Sequence, residues 1–323
     1  MRCLSAFCLG FLLCCAGKLV GQSPAAVSEF AGAPFSATAA ELTAASAVMP
    51  PNREYDAQIL FEEGTYKFAA DGTLAFQQRT IYRLDSANAV KNWAEISSPW
   101  DPWYEKQAQL QARVLEPNGT FVELDQKTIT DAPVNAEDDD TYSSEHVRRA
   151  PLPGLAIGAI IEELHTVEEK IPYFSGGEAY RYSFRDSVPV GRIRMVVDLP
   201  SSMPFKDVVP AIPGLAVNRS ETDGRRHVVY EAAGITARHG SDINLETNEP
   251  DVQLVEFSTG ASWAQVVSAY AALADPQIVT ADVEPILPVD LPVERMAKIR
   301  AIVHQLHAEV RYTGVEFGAA RLT

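Results

Sequence analysis

The stretch Asp71-Gly72-Thr73-Leu74-Ala75-Phe76-Gln77-Gln78-Arg79-Thr80-Ile81-Tyr82-Arg83-Leu84 decides the fold. Asp-Gly is a strong hairpin turn signal, because glycine accepts the positive φ that a tight turn demands. From Thr73 to Leu84 apolar and polar residues alternate over much of the length, the pattern of a half-buried antiparallel strand. Before the turn, Ala57–Glu63 leads to Gly64 and Thr65–Phe68 leads to Asp71, so a hairpin is expected across residues 57–84.

The same texture continues outward. Pro117-Asn118-Gly119-Thr120 is a second turn, between Gln111–Leu115 and Phe121–Leu124. Ile157–His165 and Ala179–Arg185 are expected to form a third strand pair. Arg192–Leu199 is a further strand, and Arg226–Ala232 follows an Asp223-Gly224 turn. Short strands separated by turn signals, without intervening helices, point to antiparallel sandwiches and not to βαβ units. The expected fold class is mainly β: two antiparallel β-sandwich-like regions, divided near Pro189–Gly191, followed by a short helical segment.

Helices flank this region. Residues 23–47 are rich in Ala, Ser and Thr, with a short helix expected around Ala39–Ala47 and Pro50-Pro51 closing it. After Pro250, Ser262–Leu273 reads as a helix and a Pro-rich connector follows from Pro276. Val293–Val310 is amphipathic, with Met296, Ile299, Ile302, Val303, Leu306 and Val310 mostly three or four apart.

Composition excludes several functions. Arg2, then an uncharged Leu/Phe-rich run from Cys3 to Gly17 ended by Lys18, has the plan of a secretory signal, expected over residues 1–21. All four cysteines (Cys3, Cys8, Cys14, Cys15) fall within it, so the mature chain is expected to have no thiol, disulfide or cysteine metal site. The formal charge of −16, made more negative by loss of Arg2 and Lys18, repels nucleic acid and anionic lipid. No later segment reaches the roughly 20 apolar residues of a membrane span. An exported protein, periplasmic or extracellular, is expected, with no nucleic-acid partner and no cofactor. No Gly-x-Ser-x-Gly element, phosphate loop or dinucleotide fingerprint occurs.

Trp93, Trp100 and Trp103, with Tyr104, cluster around Pro99 and Pro102 and are the candidate ligand-binding residues. Aromatic faces can stack on a sugar or peptide, or can plug one end of a sandwich. His304 and His307 flank the apolar stripe of the last helix and lack a third ligand, so they are read as surface residues and no metal site is expected. The acid run Glu137-Asp138-Asp139-Asp140 is compact and has no nearby glycine, which fits a solvated loop better than a calcium loop.

The pieces together resemble a known family. They are the hairpin Phe61…Asp71-Gly72…Arg83, Trp100-Asp101-Pro102-Trp103, Pro151-Leu152-Pro153-Gly154-Leu155…Gly158-Ala159-Ile160-Ile161-Glu162, Ser262-Trp263, and Val310-Arg311-Tyr312-Thr313-Gly314-Val315-Glu316-Phe317-Gly318. In this order they resemble bacterial exported proteins with a DUF3857 domain ahead of a transglutaminase-like domain. The resemblance implies a signal peptide (1–21), a linker (22–50), a DUF3857-like β region in two halves (51–189 and 190–260), and the start of a transglutaminase-like α+β core (261–323). In that family the nucleophilic cysteine, a histidine and an aspartate follow the Arg-Tyr…Glu-x-Gly segment. None has a matching position up to Thr323, so no catalytic residue can be assigned and this chain is expected not to be an enzyme. The expected role is a non-catalytic accessory region, with a protein or peptide partner or the remaining transglutaminase-like core as its neighbour. A cell-envelope binding or adhesion module acting through a sandwich surface is the alternative.

Overall fold

The computed structural model describes residues 30, 32–134, 141–237, 253–280, 284–310 and 314–316. The signal segment, the acid run at 137–140 and Arg311-Tyr312 lie outside these residues.

The hairpin is present over the expected residues. Strands β1 (Ala57–Phe68) and β2 (Leu74–Leu84) pair antiparallel from Ala57↔Leu84 to Phe68↔Leu74. Gly72 has φ +93°, and Asp71 Oδ1 accepts the Thr73 N–H at 3.0 Å. The sequence reading breaks the first strand at Gly64, but β1 runs straight through it. A Cβ on Gly64 would lie 2.2 Å from the buried Tyr182 ring, so the glycine marks a close approach and not a turn.

The chain continues as helix α2 (Ala87–Asn92), then strands β3 (Glu95–Trp100), β4 (Gln109–Leu115), β5 (Phe121–Glu123), β6 (Thr130–Pro133), β7 (Thr141–Ser143), β8 (His146–Pro151) and β9 (Ile160–Glu168). Strands β10 (Ala179–Ser183), β11 (Val190–Pro200), β12 (Lys206–Val208), β13 (Ala216–Thr222), β14 (Arg225–Ile235) and β15 (Leu254–Ser258) follow. Eight strands form one sheet in the order β13-β14-β11-β1-β2-β9-β4-β5. The two smaller three-stranded sheets are β10-β15-β12 and β3-β8-β6. The turns at Gly119 and at Asp223-Gly224 join β4 to β5 and β13 to β14, all three residues with positive φ.

Two pairings differ from expectation. β9 pairs with β2 and β4, whereas β10 pairs with β15 in a separate sheet, so these strands are not partners. Tyr182 and Phe184 turn from β10 into the core against the main sheet, a contact that local alternation does not specify. β1 and β11 pair in parallel, so the eight-stranded sheet continues across residues 189–191 without a break.

The central strands of the sheet are covered on both faces. One face carries Tyr66, Phe68, Tyr82, Ile161, Ile193, Met195, Val197 and Tyr230, covered by Ile96 and Ala150 at one end and by Tyr182, Val255 and Phe257 at the other. The two small sheets thus make two sandwich-like regions on one shared sheet. The opposite face carries Phe61, Ile81, Leu115 and Ile160 beneath residues 30–48. That strap contains helix α1 (Ala39–Val48), which has a capping box between Thr38 and Glu41 and buries Leu42 and Ala45. It also covers a buried ionic cluster: Arg79 Nε and Arg113 Nε each lie 2.9 Å from an oxygen of Glu162.

Two helices end the described chain. α3 (Trp263–Thr280) passes through Pro276, where the sequence reading ends the helix by Leu273 and begins a connector. α4 (Arg295–Glu309) is capped by Glu294, whose carboxylate accepts the N–H groups of Met296 and Ala297 at 2.9 and 2.6 Å. No residue of α4 is buried. Gly314–Glu316 forms a short strand, β16, parallel to β7. No helix among the described residues is long and apolar enough to cross a membrane.

Candidate functional site

The four aromatic residues singled out in the sequence do not form one surface. Trp93 packs on Tyr82 in the core, ring centroids 4.8 Å apart. Trp100, at the end of β3, donates its indole N–H to Asp131 at 2.8 Å and lies 5.4 Å from the His146 ring. Trp103 and Tyr104 stay together and meet Tyr173, at 5.9 and 4.8 Å respectively. Of these residues, Tyr104 lines a cavity that also holds titratable groups.

A tight turn places the pair. Buried Asp101 accepts the Trp103 N–H on its carboxylate at 2.9 Å, and its carbonyl accepts the Glu105 N–H at 2.9 Å. Glu105 closes the turn by accepting the Asp101 N–H at 2.6 Å. It stands opposite Glu169 in an isolated antiparallel bridge at the end of β9. From the other side, Glu178 precedes β10 and is held to the link before α3, donating its N–H to Thr259 Oγ1 at 3.0 Å. Gly177, at φ +88°, fits there because a Cβ would lie 2.5 Å from the backbone of Gly260.

These elements enclose a cavity of about 320 Å³ at the seam between the eight-stranded sheet and the β10-β15-β12 sheet. Tyr66, Phe76 and Tyr180 line it as one aromatic group, with Tyr66 4.7 Å from Phe76 and 5.6 Å from Tyr180. Tyr104, Tyr173, Glu105, Glu169 and Glu178 also line it. Burial, reinforced by the negative charges of Glu178 and Glu105, pushes the Glu169 carboxyl up to about 7 although the Leu74 N–H donates to it at 2.7 Å. Burial also raises Glu178, and burial with the Glu178 and Glu169 charges raises the Tyr180 phenol. Nearby cations are engaged elsewhere: Lys106 Nζ with Glu168 at 2.8 Å, and Lys170 Nζ with the Pro102 carbonyl.

The DUF3857 family, described as a domain of unknown function with a solved structure, matches residues 70–238, just over half of the chain. The chain belongs to this family. No curated protein matches it. Among solved structures it is similar to a Parabacteroides distasonis protein provisionally designated a protease, with TM-score 0.65 and 16% identity over 78% of this chain and 50% of that one. The chain therefore spans half the length of that protein, and at this identity the likeness shows the fold alone. A CBM3a-L domain from a Clostridium thermocellum cellulosome scaffoldin superposes at TM-score 0.21 with 10% identity, over 36% of this chain and 68% of its own, too weakly to bear on the fold.

Glu105, Glu169 and Glu178 all lie within the DUF3857 match, and Tyr66 lies just before it. None of the three carboxylates stands out in the sequence, because they come from separate stretches that only strand pairing unites. His304 and His307 are exposed on α4, as their flanking positions predict. Among the described residues, no group of three His, Cys, Asp or Glu is placed to hold a metal ion.

Proposed function

We propose that this chain is the non-catalytic β region of an exported transglutaminase-like protein, with α3 and α4 as the opening helices of the catalytic core it positions. One observation carries the reading: both helices present an apolar stripe to solvent. Trp263 (84% exposed), Val267 and Tyr270 lie on one face of α3, at spacings of four and three. Met296, Ile299 and Val303 lie on one face of α4 and are 52, 42 and 43% exposed. A stripe of this kind ordinarily faces a core. The similarity to a longer protein, provisionally designated a protease and covered by this chain over half of its length, supports the same reading. In this reading the chain performs no acyl transfer itself, since the cysteine, histidine and aspartate belong to the following core.

The test is the coding DNA beyond Thr323. An in-frame continuation with a Gly-Asp-Cys-like nucleophile, then His and Asp, is the expected result. A stop codon there would overturn the proposal and leave an envelope binding module as the leading role.

A further inference from the structure

The two edges of the eight-stranded sheet differ. β5 closes one edge with three residues. β13 closes the other with seven, Ala216–Thr222, and every one of them is exposed. Its register with β14 is unbroken from Ala216↔Glu231 to Thr222↔Arg225, and the strand has no proline. Short length, proline, bulges and charge are the usual means of blunting an edge. β13 has only charge, and its two charged residues, Arg219 and Glu221, are of opposite sign. Among the described residues no strand pairs with its outer side.

The turn decides which backbone groups face outward. Asp223 and Gly224 both have positive φ, so Thr222 and Arg225 flank a two-residue hairpin turn and exchange backbone hydrogen bonds. Antiparallel bonding alternates along a strand. Ala216, Asn218, Ser220 and Thr222 therefore direct their N–H and C=O groups to β14, and Val217, Arg219 and Glu221 direct theirs outward. Arg219 and Glu221 also carry their side chains on one face. Arg219 lies over the Tyr230 ring and donates to Asp207, with its side chain 48% exposed.

We infer that β13 is a self-pairing edge, which joins two copies of this chain antiparallel about a two-fold axis at Ser220. That register places Arg219 opposite Glu221 of the second copy, and Glu221 opposite its Arg219. Both pairs exchange their outward backbone bonds, as an isologous contact requires. Asn218 meets Thr222 on the other face. The neighbouring registers oppose Arg219 with Arg219 or Glu221 with Glu221, and like charges directly opposite are destabilising. One strand pairing falls short of the roughly 1,200 Å² of a standard interface, so the dimer is weak, with a dissociation constant on the order of tens of micromolar. The contact lies in the β region and does not depend on the role proposed for α3 and α4.

The test is sedimentation equilibrium and amide hydrogen exchange on the whole chain in about 0.15 M salt. The expected result is a monomer–dimer equilibrium in which the N–H groups of Arg219 and Glu221 become protected as concentration rises, whereas those of Asn218, Ser220 and Thr222 are protected throughout. Arg219→Glu and Glu221→Arg each set like charges opposite one another, and each alone is expected to weaken the dimer at least about tenfold with an unchanged circular dichroism spectrum. An equimolar mixture of the two variants opposes unlike charges again and is expected to restore the dimer. A wild-type chain that stays monomeric at about 0.5 mM overturns the inference. So does exchange at Arg219 and Glu221 that is independent of concentration. Undiminished dimerisation of either variant alone overturns it too and places the contact elsewhere, as on the apolar stripe of α3 and α4. A mixture of the folded variants that associates no better than its components has the same force.

Discussion

Phe35 donates its backbone N–H to Glu162 Oε1 at 2.8 Å, joining the N-terminal strap to the centre of the eight-stranded sheet. Phe35 has φ +63°, a conformation that costs a bulky residue on the order of 1–2 kcal/mol. Glu162 is fully buried and also holds Arg79 and Arg113. Arg79 Nη1 also donates to the carbonyls of Phe30 and Gly32, and Arg113 Nη2 to that of Ala37. Three strands and the strap thus share one carboxylate, because Arg113 faces Glu162 across β4 and β9 and Arg79 sits diagonally on β2.

Removing that carboxylate strands two buried guanidinium groups. Glu162→Gln is expected to cost roughly 3–5 kcal/mol in urea unfolding. Replacing all three charges together, as Arg79→Met, Glu162→Leu and Arg113→Met, is expected to cost less than the single change. Equal or greater loss in the triple variant would contradict this account.

The strap itself lies before the family match yet covers Phe61, Ile81, Leu115 and Ile160. A chain beginning at residue 70 therefore loses both β1 and this cover, and a chain beginning at residue 50 loses the cover alone. Both are expected to lack a cooperative thermal transition, whereas a chain beginning at residue 22 retains one. Differential scanning calorimetry distinguishes them.

Glu169 makes stability fall as pH rises. Its folded pKa of about 7 lies above the ordinary value of 4.5, so the folded state holds the proton more tightly than the unfolded chain. The stabilisation is complete below about pH 4.5 and is lost as the pH climbs through 7. Glu178 and Glu62, both raised by burial, act in the same direction. The urea midpoint should be higher near pH 5 than near pH 7.5, and Glu169→Gln should flatten that slope.

Gly64→Ala tests the close approach of β10 to β1. The added methyl meets the Tyr182 ring, which is buried and fixed by its hydroxyl hydrogen bond to Glu62 at 3.0 Å. The expected cost is about 1–3 kcal/mol, measured by urea unfolding. Gly119→Ala, where a Cβ would meet nothing within 4 Å but φ is +89°, should cost about 1 kcal/mol through backbone strain alone.

The exposed stripe of α3 and α4 should respond differently. Val267→Glu with Ile299→Lys is expected to change the stability of the β region by no more than about 0.5 kcal/mol, since neither side chain is buried. Any self-association through the stripe, read by sedimentation velocity at rising concentration, should be weaker in this variant than in the unaltered chain. A large fall in stability would mean that the stripe is covered within this chain.

Local signals in the sequence were enough for the hairpin at Asp71-Gly72, the turns at Gly119 and Asp223-Gly224, helix α1, helix α4 and the mainly β class. Each depends on residues a few positions apart: a glycine with positive φ, a two-residue alternation, apolar residues three or four apart. The tertiary structure alone decided the rest. The parallel pairing of β1 with β11, the seating of Tyr182 against Gly64, the Arg79–Glu162–Arg113 cluster and the meeting of Glu105, Glu169 and Glu178 all join distant segments. Alternation tells which face a side chain takes, but it does not name the strand that lies beside it. A charged residue within a strand reads as solvent-facing until its partner is known, which is why Glu162 and Arg113 pass unnoticed in the sequence. The same holds for Trp93, Trp100, Trp103 and Tyr104, neighbours along the chain whose surroundings were set by which sheet each one reached.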